Sequence, residues 1–125
     1  MSYGITNHHG IPYEYAVWLT LPKIFKMNAT ADTEYVSDVM GAKHLQEVMH
    51  KLMKSLNIEV AKPTDTILEN FMISLGVPHN FTMIGADKAE QRAFPAKQAN
   101  MERMSNIAIS FTNRDISEIF LLDEI

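Results

Sequence analysis

Residues 11–21 read IPYEYAVWLTL, and taken as a strand they commit the chain to a sheet. Tyr13, Tyr15, Val17, Leu19 and Leu21 alternate with Glu14, Ala16, Trp18 and Thr20, the two-residue period of extended backbone. Ala16 and Trp18 make the second face partly apolar, so the strand is expected to be central or covered on both sides. Pro22 ends it or marks an edge.

Working outward, three further stretches carry a β reading: Ile58-Glu59-Val60, Phe81 to Gly85, and a C-terminal pair. In that pair, Ile107 to Thr112 and Ile116 to Leu122 flank Asn113-Arg114-Asp115, a short hairpin loop. Between the strands lie helices. Ala31 to Leu56 is the longest periodic segment. At about 100° per residue, Tyr35, Ala42, Leu45, Met49, Leu52, Met53 and Leu56 share a stripe, with Val39 at its edge. Lys43, His44, Glu47, His50, Lys51 and Lys54 fall opposite. Thr30 or Asp32 can cap it, and Asn57 can stop it. A second helix spans Asp65 to Leu75, with an apolar stripe of Ile67, Leu68, Phe71, Met72 and Leu75 and a stop at Gly76-Val77-Pro78. Its start is signalled by Thr64, or by Thr66 with Glu69 as a capping box. A helical turn at 87–92 is followed by a helix with Pro95 near its first position and Met101 and Met104 inward.

The order β-α-β-α-β-α-β-β predicts an α+β fold: a small mixed or mostly antiparallel sheet, about three helices on it, and a C-terminal β-hairpin. Residues 1–10, rich in Gly, Asn and His, read as a flexible arm before a single domain at 11–125.

The chain has 125 residues, enough to bury roughly two-thirds of its unfolded surface. It contains no Cys, which excludes disulfides, thiol catalysis and Cys–zinc sites. Net charge is −4 and the basic residues are scattered, so nucleic acid is disfavoured as a partner. The first ten residues lack a signal-peptide pattern, and no apolar run is long enough to span a bilayer, so a cytoplasmic location is expected. The nine Met residues suit an irregular core or an adaptable surface.

Among groups that could carry chemistry, His8 and His9 stand together before Gly10, and His79 sits in a loop entering an expected strand. Gly85-Ala86-Asp87-Lys88 is the best place for an anion at a helix start, with Lys88 and Arg92 nearby. Glu47-x-x-His50 has the spacing of half a di-iron site, but no second copy exists and lysines flank it, so no metal is expected. No Ser lies in a nucleophile elbow, and there is no phosphate-loop signature. No catalytic residue and no cofactor are assigned.

The final expected strand would carry Ile119 and Leu121 on one face and Phe120 and Leu122 on the other. One face would lack a cover, so a homo-oligomer is expected, with Trp18, Phe120 and Leu122 at the contact. These readings favour a small non-enzymatic protein that binds another macromolecule, with a protein partner expected, as an inhibitor, adaptor or accessory factor of viral, phage or mobile-element type. Two alternatives stay open: a small-ligand or nucleotide sequestering protein with a pocket between subunits, and a small hydrolase using loop histidines.

Overall fold

The computed structural model describes residues 1–31, 36, 40–59, 63–98 and 109–122. Of these, 69% are helical, in six α-helices and one short 3₁₀ turn, and no strand is present among them. The expected α+β sheet and C-terminal hairpin are therefore overturned. The helices are α1 (Ser2–His9), α2 (Tyr13–Ala29), α3 (Gly41–Ser55), α4 (Thr64–Leu75), α5 (Ala89–Lys97) and α6 (Asn113–Ile119). The trace of strand pairing among the described residues is an isolated antiparallel bridge between Val36 and Ile109.

The stretch at 11–21 is the first half of α2. The same residues also supply a helical face, because Ala16, Leu19 and Thr20 stand at i, i+3 and i+4, and all three are buried. On a strand Ala16 and Leu19 would face opposite ways. Length decides the matter. α2 runs 17 residues and packs against α1, α3, α4 and α6, so burial along a whole helical face outweighs local strand preference. Pro22 lies inside the helix rather than at a strand end, and it is buried. An interior proline disfavours a helix by about 3 kcal/mol, a penalty this much tertiary contact can offset.

The expected hairpin fails for a different reason. Thr112 and Asp115 form a reciprocal N-cap. Asp115 N–H donates to Thr112 Oγ1 (3.2 Å), and Thr112 N–H donates to Asp115 Oδ2 (2.7 Å). Thr-Asn-Arg-Asp is thus a helix start, not a turn between strands. The helix gathers Ile116, Ile119 and Phe120 on one buried face, where a strand would have divided them. Residues 81–85 form the 3₁₀ turn Thr82–Ile84, begun by Asn80 Oδ1 accepting from Met83 N–H. Ile58 and Glu59 carry no strand pairing.

Of the long helix expected over 31–56, the described residues show Gly41–Ser55 as helix. This glycine sits at φ +84°, outside helical geometry and open to few other residues, so it starts α3 instead of weakening its middle. Thr30 ends α2, its hydroxyl bonding the Lys26 carbonyl. Asn57, at φ +56°, closes α3 as its sequence suggests, with Ile58 N–H bonding Met53 O. Gly76 closes α4 in the same way. The N-terminal stretch read as an arm is helix α1, with Ile5 wholly buried. Gly4 lets α1 lie on α5, since a Cβ there would come 3.0 Å from the Pro95 carbonyl. Asp32, Tyr35, Val39, Val60, Met101, Met104, Ile107, Asp123 and Glu124 lie outside the described residues.

Two apolar clusters result. The larger gathers Ile5, Ala16, Leu19, Phe81, Ala86, Ala96, Ile116, Ile119 and Phe120. The smaller is Leu45, Met49 and Ile109, and half-buried Met27 and Phe111 touch both. A fully buried Ile or Phe contributes about 1.5–3 kcal/mol, which makes the first cluster the main source of stability.

Candidate functional site

α5 is one helix that continues across Pro95, where two short pieces were expected. Pro95 has no N–H, so the Gln91 carbonyl, four residues back, loses its usual donor. His9 supplies one: its Nε2 lies 3.0 Å from Gln91 O. A carbonyl only accepts, so that nitrogen carries the hydrogen. Burial holds the His9 pKa below the usual histidine range; the Gln91 bond opposes this and neighbouring His8 adds to it. The His8 ring lies 4.6 Å from the Phe94 ring. The histidine pair thus seats α1 on α5.

Arg92 projects elsewhere on α5 and is also engaged. Nε donates to Phe120 O (2.9 Å), Nη2 to Leu121 O (3.2 Å), and Nη1 to Ala86 O (2.9 Å) and Asp87 O (2.6 Å). Four carbonyls surround one guanidinium, which clasps the end of α6 to the loop before α5. An anion at this helix start would have to compete with them. Lys88 is exposed beside it, its backbone N–H bonded to Gln91 Oε1. His79 is half-buried after α4, with Nδ1 enclosed and unpartnered. His8 and His9 therefore meet α5, on which Arg92 lies. Glu47 and His50 are both exposed on α3. Among the described residues, no three His, Asp or Glu groups are placed to hold a metal, and no helix is long and apolar enough to cross a membrane.

Phe120, expected at a subunit contact, is wholly buried and stacks on Phe81 at 5.7 Å. Leu122 packs half-buried against the same cluster. Trp18 is half-buried on α2, its ring 6.4 Å from that of Phe71.

That last contact leads to the feature sequence reading missed. α4 carries two adjacent i, i+4 rows. Thr64, Leu68 and Met72 are buried, on the helix that packs most extensively with α2. Ile67, Phe71 and Leu75 are 36%, 51% and 57% exposed, and Ile73 is exposed as well. The remaining exposed positions from 66 to 75 are Thr66, Asn70 and Ser74, so no ionisable side chain stands on this outer face. The helix's acids turn toward α2 instead. Asp65 Oδ2 lies 3.3 Å from Lys26 Nζ. Lys23, which donates to Glu118 O at 2.9 Å, has its pKa lowered by burial, while Glu118, Glu69 and Asp65 act to raise it. A stripe of five apolar residues on a twelve-residue helix was the available signal, being broader than one packing contact covers.

An open cleft of about 380 Å³ lies at the end of α3, lined by His50, Met53, Lys54, Asn57, Ile58 and Glu59. Compared with known protein families, curated proteins and solved structures, the chain matches none.

Proposed function

We propose that the protein works in the cytoplasm by binding another macromolecule, with the outer row of α4 and neighbouring Trp18 as the contact. The observation that supports this is the uncharged apolar face of Ile67, Phe71 and Leu75, held out by a helix whose other row is anchored in the core. Exposed apolar surface without interspersed charge is the usual mark of a protein contact. Two of the groups considered for chemistry have structural partners: Arg92 its four carbonyls and His9 the Gln91 carbonyl.

A photo-reactive residue in place of Phe71 tests this in the cells that express the protein, with the same residue at exposed His44 as control. Macromolecular adducts from position 71 but not 44 are expected. No adduct from position 71 overturns the reading. The cleft at the end of α3 supports a second reading, a small-ligand site in which Lys54 and His50 would meet an anionic group. Saturable chemical-shift changes confined to Met53 and Ile58 on adding nucleotides would favour it.

A further inference from the structure

We infer that the cleft at the end of α3 takes a small zwitterion, a free amino acid with an apolar side chain. The inference rests on the second reading above, the anion site, and adds an opposite charge to its ligand.

The cleft is a product of how α3 ends. Asn57, at φ +56°, turns the chain back just past the helix. Asn57 N–H then donates to Lys54 O (3.2 Å) and Ile58 N–H to Met53 O (2.8 Å). This closure gives both carbonyls a donor and returns Ile58 to the last turn of the helix. Ile58 is only 4% exposed and Met53 is half-buried, so the two give the recess an apolar floor. Exposed polar side chains surround that floor. His50 and Lys54, one turn apart, come from the helix, while Asn57 and Glu59 come from the returning chain.

Charge selects the ligand. A cation, Lys54, and an anion, Glu59, line the same recess. Unlike Lys26 and Asp65, they form no ion pair with each other, and neither side chain has a bond to another group among the described residues. A ligand of one sign satisfies one of them and opposes the other. A nucleotide brings its phosphates to Glu59 and to the negative end of the α3 dipole, and a polyamine meets Lys54. A molecule with both a carboxylate and an ammonium suits the whole recess. Its carboxylate lies toward Lys54 and His50, and its ammonium toward Glu59 and the helix end. Its apolar part then covers Met53 and Ile58. The volume of about 380 Å³ falls within the usual range for small-molecule sites.

The test follows the methyl resonances of Met53 and Ile58 in the full chain, with those of Met72 on α4 as control. L-leucine should shift the first two saturably and leave Met72 unmoved. A ligand this small in an open cleft is expected to bind in the millimolar range. N-acetyl-leucine, without the ammonium, and leucinamide, without the carboxylate, should each bind about three- to fivefold more weakly, the size of an exposed ion pair. Glu59→Gln should weaken leucine by the same factor and leave N-acetyl-leucine unchanged. Lys54→Met should weaken leucine and leave leucinamide unchanged. No shift with leucine, or equal binding of leucine and N-acetyl-leucine, overturns the zwitterion. If leucine fails while a nucleotide gives saturable shifts at Met53 and Ile58, the anion site survives and only the second charge is lost. If neither shifts them, both fall.

Discussion

α3 and α4 both expose an apolar row at i, i+4, i+8: Val48, Leu52 and Leu56 on the first, Ile67, Phe71 and Leu75 on the second. Around the α3 row stand Lys43, His44, Glu47, His50, Lys51 and Lys54, all exposed. Around the α4 row stand only Thr, Asn, Ser and a further Ile. Two apolar rows of the same spacing thus have two meanings. On α3 the side chains share their surface with hydrated charges, as exposed leucines on soluble proteins commonly do. On α4 nothing keeps a partner away.

The largest effects should come from the inner rows. Met72→Ala on α4 and Leu45→Ala on α3 are each expected to cost about 2–5 kcal/mol in urea denaturation, since both side chains are buried. If Phe71→Ala costs as much as Met72→Ala in a monomeric sample, the two rows of α4 have been exchanged and the comparison breaks.

Next come Leu52→Ala and Leu56→Ala, where nearly half of each side chain is already in water, and about 1 kcal/mol is expected. A loss of several kcal/mol would mean that the end of α3 has a cover of its own. His9→Ala should also cost about 1 kcal/mol by leaving the Gln91 carbonyl without its donor.

The Lys26–Asp65 pair ranks lower. Its side chains are partly exposed, so a double-mutant cycle should give less than about 1 kcal/mol. Its other effect is the more informative one. Lys26→Ala frees Asp65 beside the outer row, and fewer adducts from a photo-reactive residue at position 71 are expected. Smallest of all, His44→Ala and His50→Ala on the charged side of α3 should stay within about 0.5 kcal/mol.

These contrasts show what the sequence could convey. α4 was legible almost to its ends, because a stripe, an acidic first turn and Gly76 agree there. The wet face of α3 was also legible, through its unbroken 3.6-residue period. The sheet was misread at 11–21 because apolar residues on both expected strand faces also supply a helical face through Ala16, Leu19 and Thr20, and only contacts with four other helices choose between the two readings. It was misread at 112–122 because Asn113-Arg114-Asp115 resembles a loop until Thr112 is paired with Asp115. The outer row of α4 is visible in the sequence as part of an apolar stripe, but periodicity reports which residues share a face and not whether that face is covered. The engagements of His9 and Arg92 join residues 82 and 28 apart, and no local pattern encodes them.

The Arg92 clasp has a consequence for the order in which the molecule assembles. Two of its acceptors, Ala86 and Asp87, lie six and five residues behind it, within reach as soon as α5 forms. The other two lie 28 and 29 residues ahead. Closing a loop of that length carries a length-dependent entropy loss of about 3 kcal/mol. The near pair orients the guanidinium before that loss is incurred, so the end of α6 arrives at a donor fork already aimed. Arg92→Lys would keep the charge and lose the fork. Its refolding limb in stopped-flow measurements should then slow more than its unfolding limb quickens, marking the docking of α6 on α5 as part of the folding nucleus.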